Sequence, residues 1–292
     1  MLAVVVAEER ARIAVVGDLH SAWQPFDVHH FNQSHYALVL VTGDLGGSAR
    51  RDGLQIARSL ARLEKRTLII PGNADAHEYA KLSAEFSYQR GRAGLMDALR
   101  PNEGRGSVEI AGYGLHALEL GAQSVTLISA RPFAKGGSEL SSPELLEQSF
   151  GVRSLAESSE RLRALVDRAS TDALVFLAHN GPTGLGDDAA APWGRDFDPR
   201  AGDWGDSDLA DAVAHASARG RRAIAVVAGH MHWRLRGGGQ RSWKVERDGV
   251  VFVNAACVPR IFTDGGDAVH HHIELSLGAE GFTAAEVLVR RP

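Results

Sequence analysis

Short runs of β-branched and aliphatic residues recur along the chain, and in its first half stretches with helical periodicity separate them. This alternation predicts βαβ units. Five of the runs are almost wholly apolar, as expected of central strands covered on both faces of a sheet: 13–16, 38–41, 68–70, 174–177 and 224–227. Amphipathic stretches at 51–64, 76–99, 143–168 and 207–219 predict the covering helices, and Asp206 or Ser207 is the expected cap of the last one.

Glycines interrupt shorter apolar runs at 107–129 and after residue 240. There we expect an antiparallel meander at 107–129 and short strands at 241–246, 250–254, 269–277 and 284–289. The layout predicts an α/β fold, a four-layer αββα sandwich in which two mixed β-sheets pack face to face with helices outside, as a single domain over 1–292. The segment at 181–205 lacks an apolar period, and we interpret it as a lid or a partner surface.

Composition limits the classes of partner. Lys and Arg total 32 against 36 Asp and Glu, a net charge of −4, which argues against nucleic acid and requires any anionic ligand to be held locally. No apolar run reaches the roughly 18 to 20 residues of a membrane span. The only cysteine, Cys257, excludes an internal disulfide and a Cys-rich zinc site, and it fits a reducing compartment. The apolar stretch at 1–6 is too short for a secretory signal, so we expect a first strand or a frayed end there and a cytoplasmic location.

Each of the five apolar runs is followed by residues that bind divalent metals, and the carboxyl ends of strands in an α/β sheet face one crevice. A Gly-Asp or Gly-Asn pair alone is an ordinary turn. The recurrence at the same phase of five strands favours a site for two metal ions, since two carboxylates, an amide and four imidazoles supply oxygen and nitrogen donors. Glycine precedes four of these donors, which permits sharp turns and close backbone approach. The seven are Asp18, His20, Asp44, Asn73, His179, His230 and His232.

The ordered series Asp-x-His, Gly-Asp, Gly-Asn-x-Asp, His and Gly-His-x-His, spanning 18–232, resembles the calcineurin-like metallophosphoesterase superfamily. Stretches at 179–187, 204–210, 229–236 and 254–260 are similar to a poorly characterised bacterial and plant branch. The resemblance implies manganese, although the ligand types also admit Fe, Zn or Ni. It implies that one ion is held by Asp18, His20 and His232, the other by Asn73, His179 and His230, and both by Asp44.

The sequence departs from the family at one position that bears on catalysis. Family members usually have His after the Asn of Gly-Asn-His-Asp, whereas this chain has Gly72-Asn73-Ala74-Asp75. A positioned acid contributes roughly 10² to 10⁴-fold, so its loss disfavours alkoxide leaving groups, and relatives without it tend to resemble phosphodiesterases. We assign catalytic roles to Asp44, Asn73 and Asp75. His77 could replace the missing acid if the turn is tight, or it could be a surface histidine.

Two further residues are candidates for substrate binding beside Asn73. Asn180 could contact a substrate oxygen or cap a turn. Arg131 follows a strand and could bind phosphate through two donors, or it could form a surface salt bridge. We interpret 270–272, three consecutive histidines, as structural, and the arginine-rich segment at 234–247 as a solvated hairpin rather than a nucleic-acid site.

These features predict a metal-dependent phosphoester hydrolase that uses a hydroxide bound to a dinuclear metal centre. The expected activity is that of a phosphodiesterase, or of a phosphatase on good leaving groups, and the expected substrate is a small phosphoester or a nucleotide. The alternative is a catalytically weak scaffold that keeps the fold and binds a protein partner. Ala74 is its only support in the sequence.

Overall fold

The structure, a computed structural model, describes residues 11–47, 52–99, 108–198, 200, 202–278 and 281–291. The apolar stretch at 1–6 lies outside these residues. Among the described residues, no helix is both long and apolar enough to cross a bilayer.

The strands in the described part of the chain fall into two mixed sheets. In chain order they are β1 (Arg12–Val16), β2 (Leu38–Val41), β3 (Thr67–Ile69), β4 (Val108–Ile110), β5 (Gly114–Leu120), β6 (Gln123–Ser129), β7 (Ala173–Leu177), β8 (Arg222–Ala228), β9 (Lys244–Arg247), β10 (Val250–Asn254), β11 (Ile261–Asp264), β12 (Asp267–Gly278) and β13 (Gly281–Arg290). All five predicted central strands are present, as β1, β2, β3, β7 and β8.

The first sheet has the order β11-β12-β1-β2-β3-β4, with β13 paired to β12. Strands β1 to β4 are parallel, and β12 runs antiparallel to β1. The second sheet has the order β5-β6-β7-β8-β10-β9, with β6, β7, β8 and β10 parallel and both edge strands antiparallel.

The meander expected at 107–129 is present only in part. Strands β5 and β6 form the antiparallel hairpin, but β4 belongs to the other sheet and runs parallel to β3. The reason is the helix that precedes β4, because a strand that follows a crossover helix returns beside the first strand in parallel.

The helices are α1 (Pro25–Gln33), α2 (Gly53–Leu60), α3 (Tyr79–Leu99), α4 (Pro143–Phe150), α5 (Leu155–Arg168) and α6 (Ser207–Ala218), with a 3₁₀ helix at Asn73–Glu78. The single helix expected at 143–168 is wrong. Gly151 closes α4 with φ +68°, and the Ser154 hydroxyl accepts the Glu157 N–H to begin α5. Helix α1 was not predicted, because its buried residues are only Asp27, Val28 and Phe31.

The four-layer αββα arrangement predicted from the sequence is confirmed. The residues buried between the sheets include Val15 and Leu40 of the first and Val175 and Val227 of the second. Helices α1 to α3 cover the outer face of the first sheet, and α4 to α6 cover that of the second. Strands buried on both faces place their carboxyl ends at one edge, where polar side chains follow.

Candidate metal centre

The carboxyl ends of five parallel strands bring all seven predicted ligands to one edge of the sandwich. The first sheet supplies the residues after β1, β2 and β3, and the second supplies those after β7 and β8. Within two groups, the possible donor atoms lie within 4.8 Å of one another. One group is Asp18, His20 and His232, and the other is Asp44, His179 and His230.

Asp44 lies between the two groups and faces each with a different oxygen. Its Oδ2 lies 3.6 Å from His20 Nε2, and its Oδ1 lies 3.6 Å from His179 Nε2. In the first group, His20 Nε2 is 3.1 Å from His232 Nε2. Asn73 adjoins the second group, with its Oδ1 3.0 Å from His179 Nε2. Asp44 therefore occupies the position that a bridging carboxylate requires.

Backbone carbonyls orient two of the imidazoles. His179 Nδ1 donates to Thr42 O at 2.5 Å, which leaves the Nε2 lone pair facing Asn73 and Asp44. His230 Nε2 donates to Lys135 O at 3.0 Å, which leaves Nδ1 as the nitrogen with a free lone pair. Such contacts to the second ring nitrogen fix the tautomer that a metal ligand needs.

The local charge suits a divalent cation. Burial raises the pKa of Asp18, but the nearby His179, His232 and His20 lower it by more. The pKa of Asp18 therefore lies below its ordinary value. Burial, followed by His179, lowers the pKa of His230 to about 3, which keeps this imidazole neutral and able to ligate. The donor set of two carboxylates, an amide and four imidazoles fits a pair of divalent transition ions.

Asp75 is a brace rather than a group that faces the cleft. Its Oδ2 accepts the Gly72 N–H at 2.8 Å, and its Oδ1 accepts the Leu45 N–H at 2.9 Å. Burial, followed by repulsion from Asp44, raises its pKa to about 7. The side chain ties the turn after β2 to the turn after β3, so the catalytic role expected for Asp75 becomes one of positioning.

The glycines that precede the ligands allow the close approach that the sequence indicates. A Cβ on Gly229 would lie 2.1 Å from Asp18 Oδ1, and one on Gly72 would lie 2.1 Å from Asp44 Oδ1. Only a residue without a side chain fits at these two positions beside the carboxylates.

A cleft of about 490 Å³ opens above the donors. Beside metal-site residues and Met231, its lining contains three cations, two aromatic rings and one carboxylate: Lys135, Arg234, Arg236, Phe197, Trp204 and Asp196. The segment at 181–205 supplies three of these residues, so it forms one wall of the cleft.

Some of the predicted residues lie outside that lining, among them His77, Asn180 and Arg131. His77 is exposed on the 3₁₀ helix. Asn180 is buried, and its Nδ2 donates to Trp204 O at 3.0 Å, so it anchors the cleft wall.

Arg131, which we expected either on a phosphate or in a surface salt bridge, is only 3% exposed. Its guanidinium binds Asp206 at 2.6 Å and Asp208 at 2.7 Å, so the surface interpretation is wrong and its donors serve a buried ion-pair network. Asp206 precedes α6 at the cap position, but its carboxylate makes this ion pair rather than a cap hydrogen bond.

The other basic and histidine-rich segments are largely structural. Arg241 is buried and donates to the carbonyls of Ala189, Ala191 and Gly194, which holds the 181–205 segment against the 232–241 turn. The expected solvated hairpin at 234–247 is therefore wrong for this residue. His270, His271 and His272 are buried in β12, as the structural interpretation requires.

The sequence marks the segment at 181–205 as a lid or a partner surface but does not show which of its side chains line the cleft. Lys135, Phe197 and Trp204 lie in irregular segments without a period that would assign them a direction.

Comparison with known proteins gives one family match and several structural likenesses. The family model described as calcineurin-like phosphoesterase matches residues 11–234. The chain is similar in structure to TT1561 of Thermus thermophilus, with 14% identity, a TM-score of 0.53 and coverage of 94% of this chain and 98% of that one. It also matches Vacuolar Protein Sorting 29 from Cryptosporidium parvum, with 12% identity, a TM-score of 0.33 and coverage of 97% and 99%. No curated protein matches the chain.

Proposed function

Because the chain belongs to the calcineurin-like phosphoesterase family, we propose that it hydrolyses phosphoesters with the help of two divalent cations held at the floor of the cleft. The observation that carries this proposal is the pair of donor groups that share Asp44, one oxygen toward each.

The chain's residues divide between two cation positions. Asp18, His20 and His232 would hold one ion, Asn73, His179 and His230 the other, and Asp44 both. When bound, two divalent ions supply a water molecule that ionises near neutral pH and a positive charge for the phosphoryl oxygens. Manganese is the ion that the family resemblance favours.

The residue at position 74 restricts the leaving group. Ala74 offers only its backbone N–H, which donates to Asp44 Oδ1 at 2.8 Å. It contributes no acid, and His77 is exposed outside the cleft lining. We therefore propose that the enzyme acts on phosphodiesters, or on monoesters whose leaving group needs no protonation.

The test uses the full chain, stripped with a chelator and reloaded with Mn²⁺, on bis-p-nitrophenyl phosphate and p-nitrophenyl phosphate. We expect two ions per chain by elemental analysis, turnover that depends on Mn²⁺, and faster hydrolysis of the diester. Asp44→Asn removes the shared carboxylate and should lower activity by more than about 10²-fold, since even outer contacts to metal ligands are worth 10 to 100-fold.

Asp172→Asn is the matched control, because this aspartate is exposed and lies before β7, at the end opposite the cleft. It should behave as wild type. Turnover that survives both chelation and Asp44→Asn would refute the proposal. Uptake of two ions with hydrolysis of neither ester would instead favour the scaffold alternative.

A further inference from the structure

An aromatic corner stands beside the metal centre. The rings of Phe197 and Trp204 lie 5.1 Å apart at 87°, and both line the cleft. Phe197 is 41% exposed, which is unusual among the larger apolar side chains of the described residues. The Arg236 guanidinium lies 5.8 Å from the Phe197 ring centre, and that of Arg195 lies 5.2 Å from the Trp204 ring centre. These contacts present two nearly perpendicular aromatic rings that are framed by cations.

The corner is fixed to the cleft floor through one carbonyl group. Lys135 O accepts the Trp204 indole N–H at 2.7 Å, and it also accepts the His230 Nε2–H at 3.0 Å. Asn180 Nδ2 donates a hydrogen bond to Trp204 O at 3.0 Å. The aromatic surface therefore keeps a fixed position relative to a metal-site residue, which is what recognition of a rigid substrate group requires.

The same cleft carries positive charge that the protein leaves free. The side chains of Lys135 and Arg234 are exposed and have no hydrogen-bond or ion-pair partner among the described residues. The cleft's own acidic wall residue, Asp196, is paired with Arg241 at 3.3 Å. In a chain of net charge −4, this concentration of cations selects for an anion in addition to the scissile phosphate.

We propose that the substrate is a mononucleotide-type phosphodiester. Its flat base packs in the Phe197 and Trp204 corner, and a second phosphate binds Lys135 and Arg234. This inference rests on the proposed function and narrows it. A cleft of about 490 Å³ has the size of a small-molecule site rather than a track for a polynucleotide. Stacking of a base on an aromatic side chain contributes about 5 to 150-fold in affinity.

The test compares three esters that release the same p-nitrophenolate when water cleaves its P–O bond. They are ethyl p-nitrophenyl phosphate, thymidine 5′-(p-nitrophenyl phosphate), and the latter with a 3′-phosphate. We expect kcat/KM to rise about tenfold with the base and about tenfold again with the 3′-phosphate. Ratios taken within one protein preparation cancel any loss of folded enzyme.

In Phe197→Leu, kcat/KM of the thymidine ester should fall to about that of the ethyl ester. In Arg234→Gln, the 3′-phosphate should no longer raise kcat/KM. Tyr88→Leu is the matched control, an exposed aromatic on α3 outside the cleft lining, and it should keep both ratios. Binding can also be measured without metal. Tryptophan fluorescence of chelator-treated protein, titrated with thymidine 3′,5′-bisphosphate, gives the Kd of this ligand. Its Kd should rise about 5-fold or more in Phe197→Leu.

The proposal would be overturned if wild type hydrolysed the thymidine and ethyl esters with about equal kcat/KM, or if Phe197→Leu kept the preference for the thymidine ester. A gain from the 3′-phosphate alone would assign the cleft to polyanions without a ring and would also overturn it. Failure of the proposed function is a separate result, because then the ethyl ester is not hydrolysed at all with Mn²⁺.

Discussion

Gly72→Ala is the sharpest test of how the turn after β3 shapes the metal centre. Gly72 has φ −85° and ψ 177°, an extended conformation that alanine adopts without strain. The perturbation is therefore one of space alone. The new Cβ would lie 2.1 Å from Asp44 Oδ1 and 2.6 Å from both Asp44 N and His179 Cε1.

The magnitude follows from these distances. Ordinary contact begins at 3.4 Å, so the Asp44 carboxylate and the His179 ring must each retreat by about 1 Å. Metal sites tolerate about 0.2 Å in ligand position, and a 1 Å misplacement costs on the order of 10² in rate. Overpacking a tight site costs about 1 to 3 kcal/mol, which lowers the Tm of a chain this long by roughly 2 to 10 °C.

The assay measures three quantities on one preparation: metal content per chain, kcat/KM on bis-p-nitrophenyl phosphate, and Tm. We expect fewer than two ions, a loss of about 10²-fold in kcat/KM, and a lower Tm. Gly237→Ala is the control, since a Cβ there meets nothing within 4 Å and its φ is not positive. Full metal content and wild-type turnover in Gly72→Ala would refute the tight fit.

Two further predictions concern buried ion pairs. Burial raises the pKa of Asp27, but Arg260 and His270 lower it more, to about 2 from an ordinary 3.8. The lowered pKa stabilises the fold by about 2 kcal/mol above pH 4, and this stabilisation is lost as the pH falls toward 2. Asp27→Asn should therefore remove this pH dependence of the free energy of unfolding, measured by urea unfolding at a series of pH values. An unchanged pH dependence in the variant would contradict the prediction. Arg131→Gln should leave two buried carboxylates unpaired and lower the free energy of unfolding by about 3 to 5 kcal/mol, whereas the exposed Arg163→Gln should cost much less. A raised KM with an unchanged Tm would instead restore Arg131 as a substrate ligand.

Much of the fold was predictable because burial on both faces leaves a strong mark on a strand. The runs that become β1, β2, β3, β7 and β8 are almost wholly apolar, and a ligand follows each at a similar phase. The order of the motifs then indicated the family.

Helix α1 was not predictable in the same way, because only a few of its residues are buried and its start carries Pro25 rather than an apolar period. Similarly, the break between α4 and α5 depends on Gly151 and Ser154, which preserve the amphipathic pattern across the gap.

The individual side chains of the cleft wall could not be assigned from the sequence for a different reason. Lys135, Phe197 and Trp204 meet through tertiary contacts between irregular segments, and such segments have no periodicity to interpret. Arg131 was misassigned because a position after a strand does not show which way a side chain turns. Its two partners lie at 206 and 208, far along the chain.

The two hydrogen bonds that the Lys135 carbonyl accepts have an evolutionary consequence. Both bonds that tie His230 and Trp204 together end on the main chain, and every amino acid carries that oxygen. A substitution of Lys135 can thus change the side chain beside the metal centre while both hydrogen bonds to the backbone carbonyl persist. Selection could therefore change which molecules the cleft accepts without altering the side chains of the metal centre.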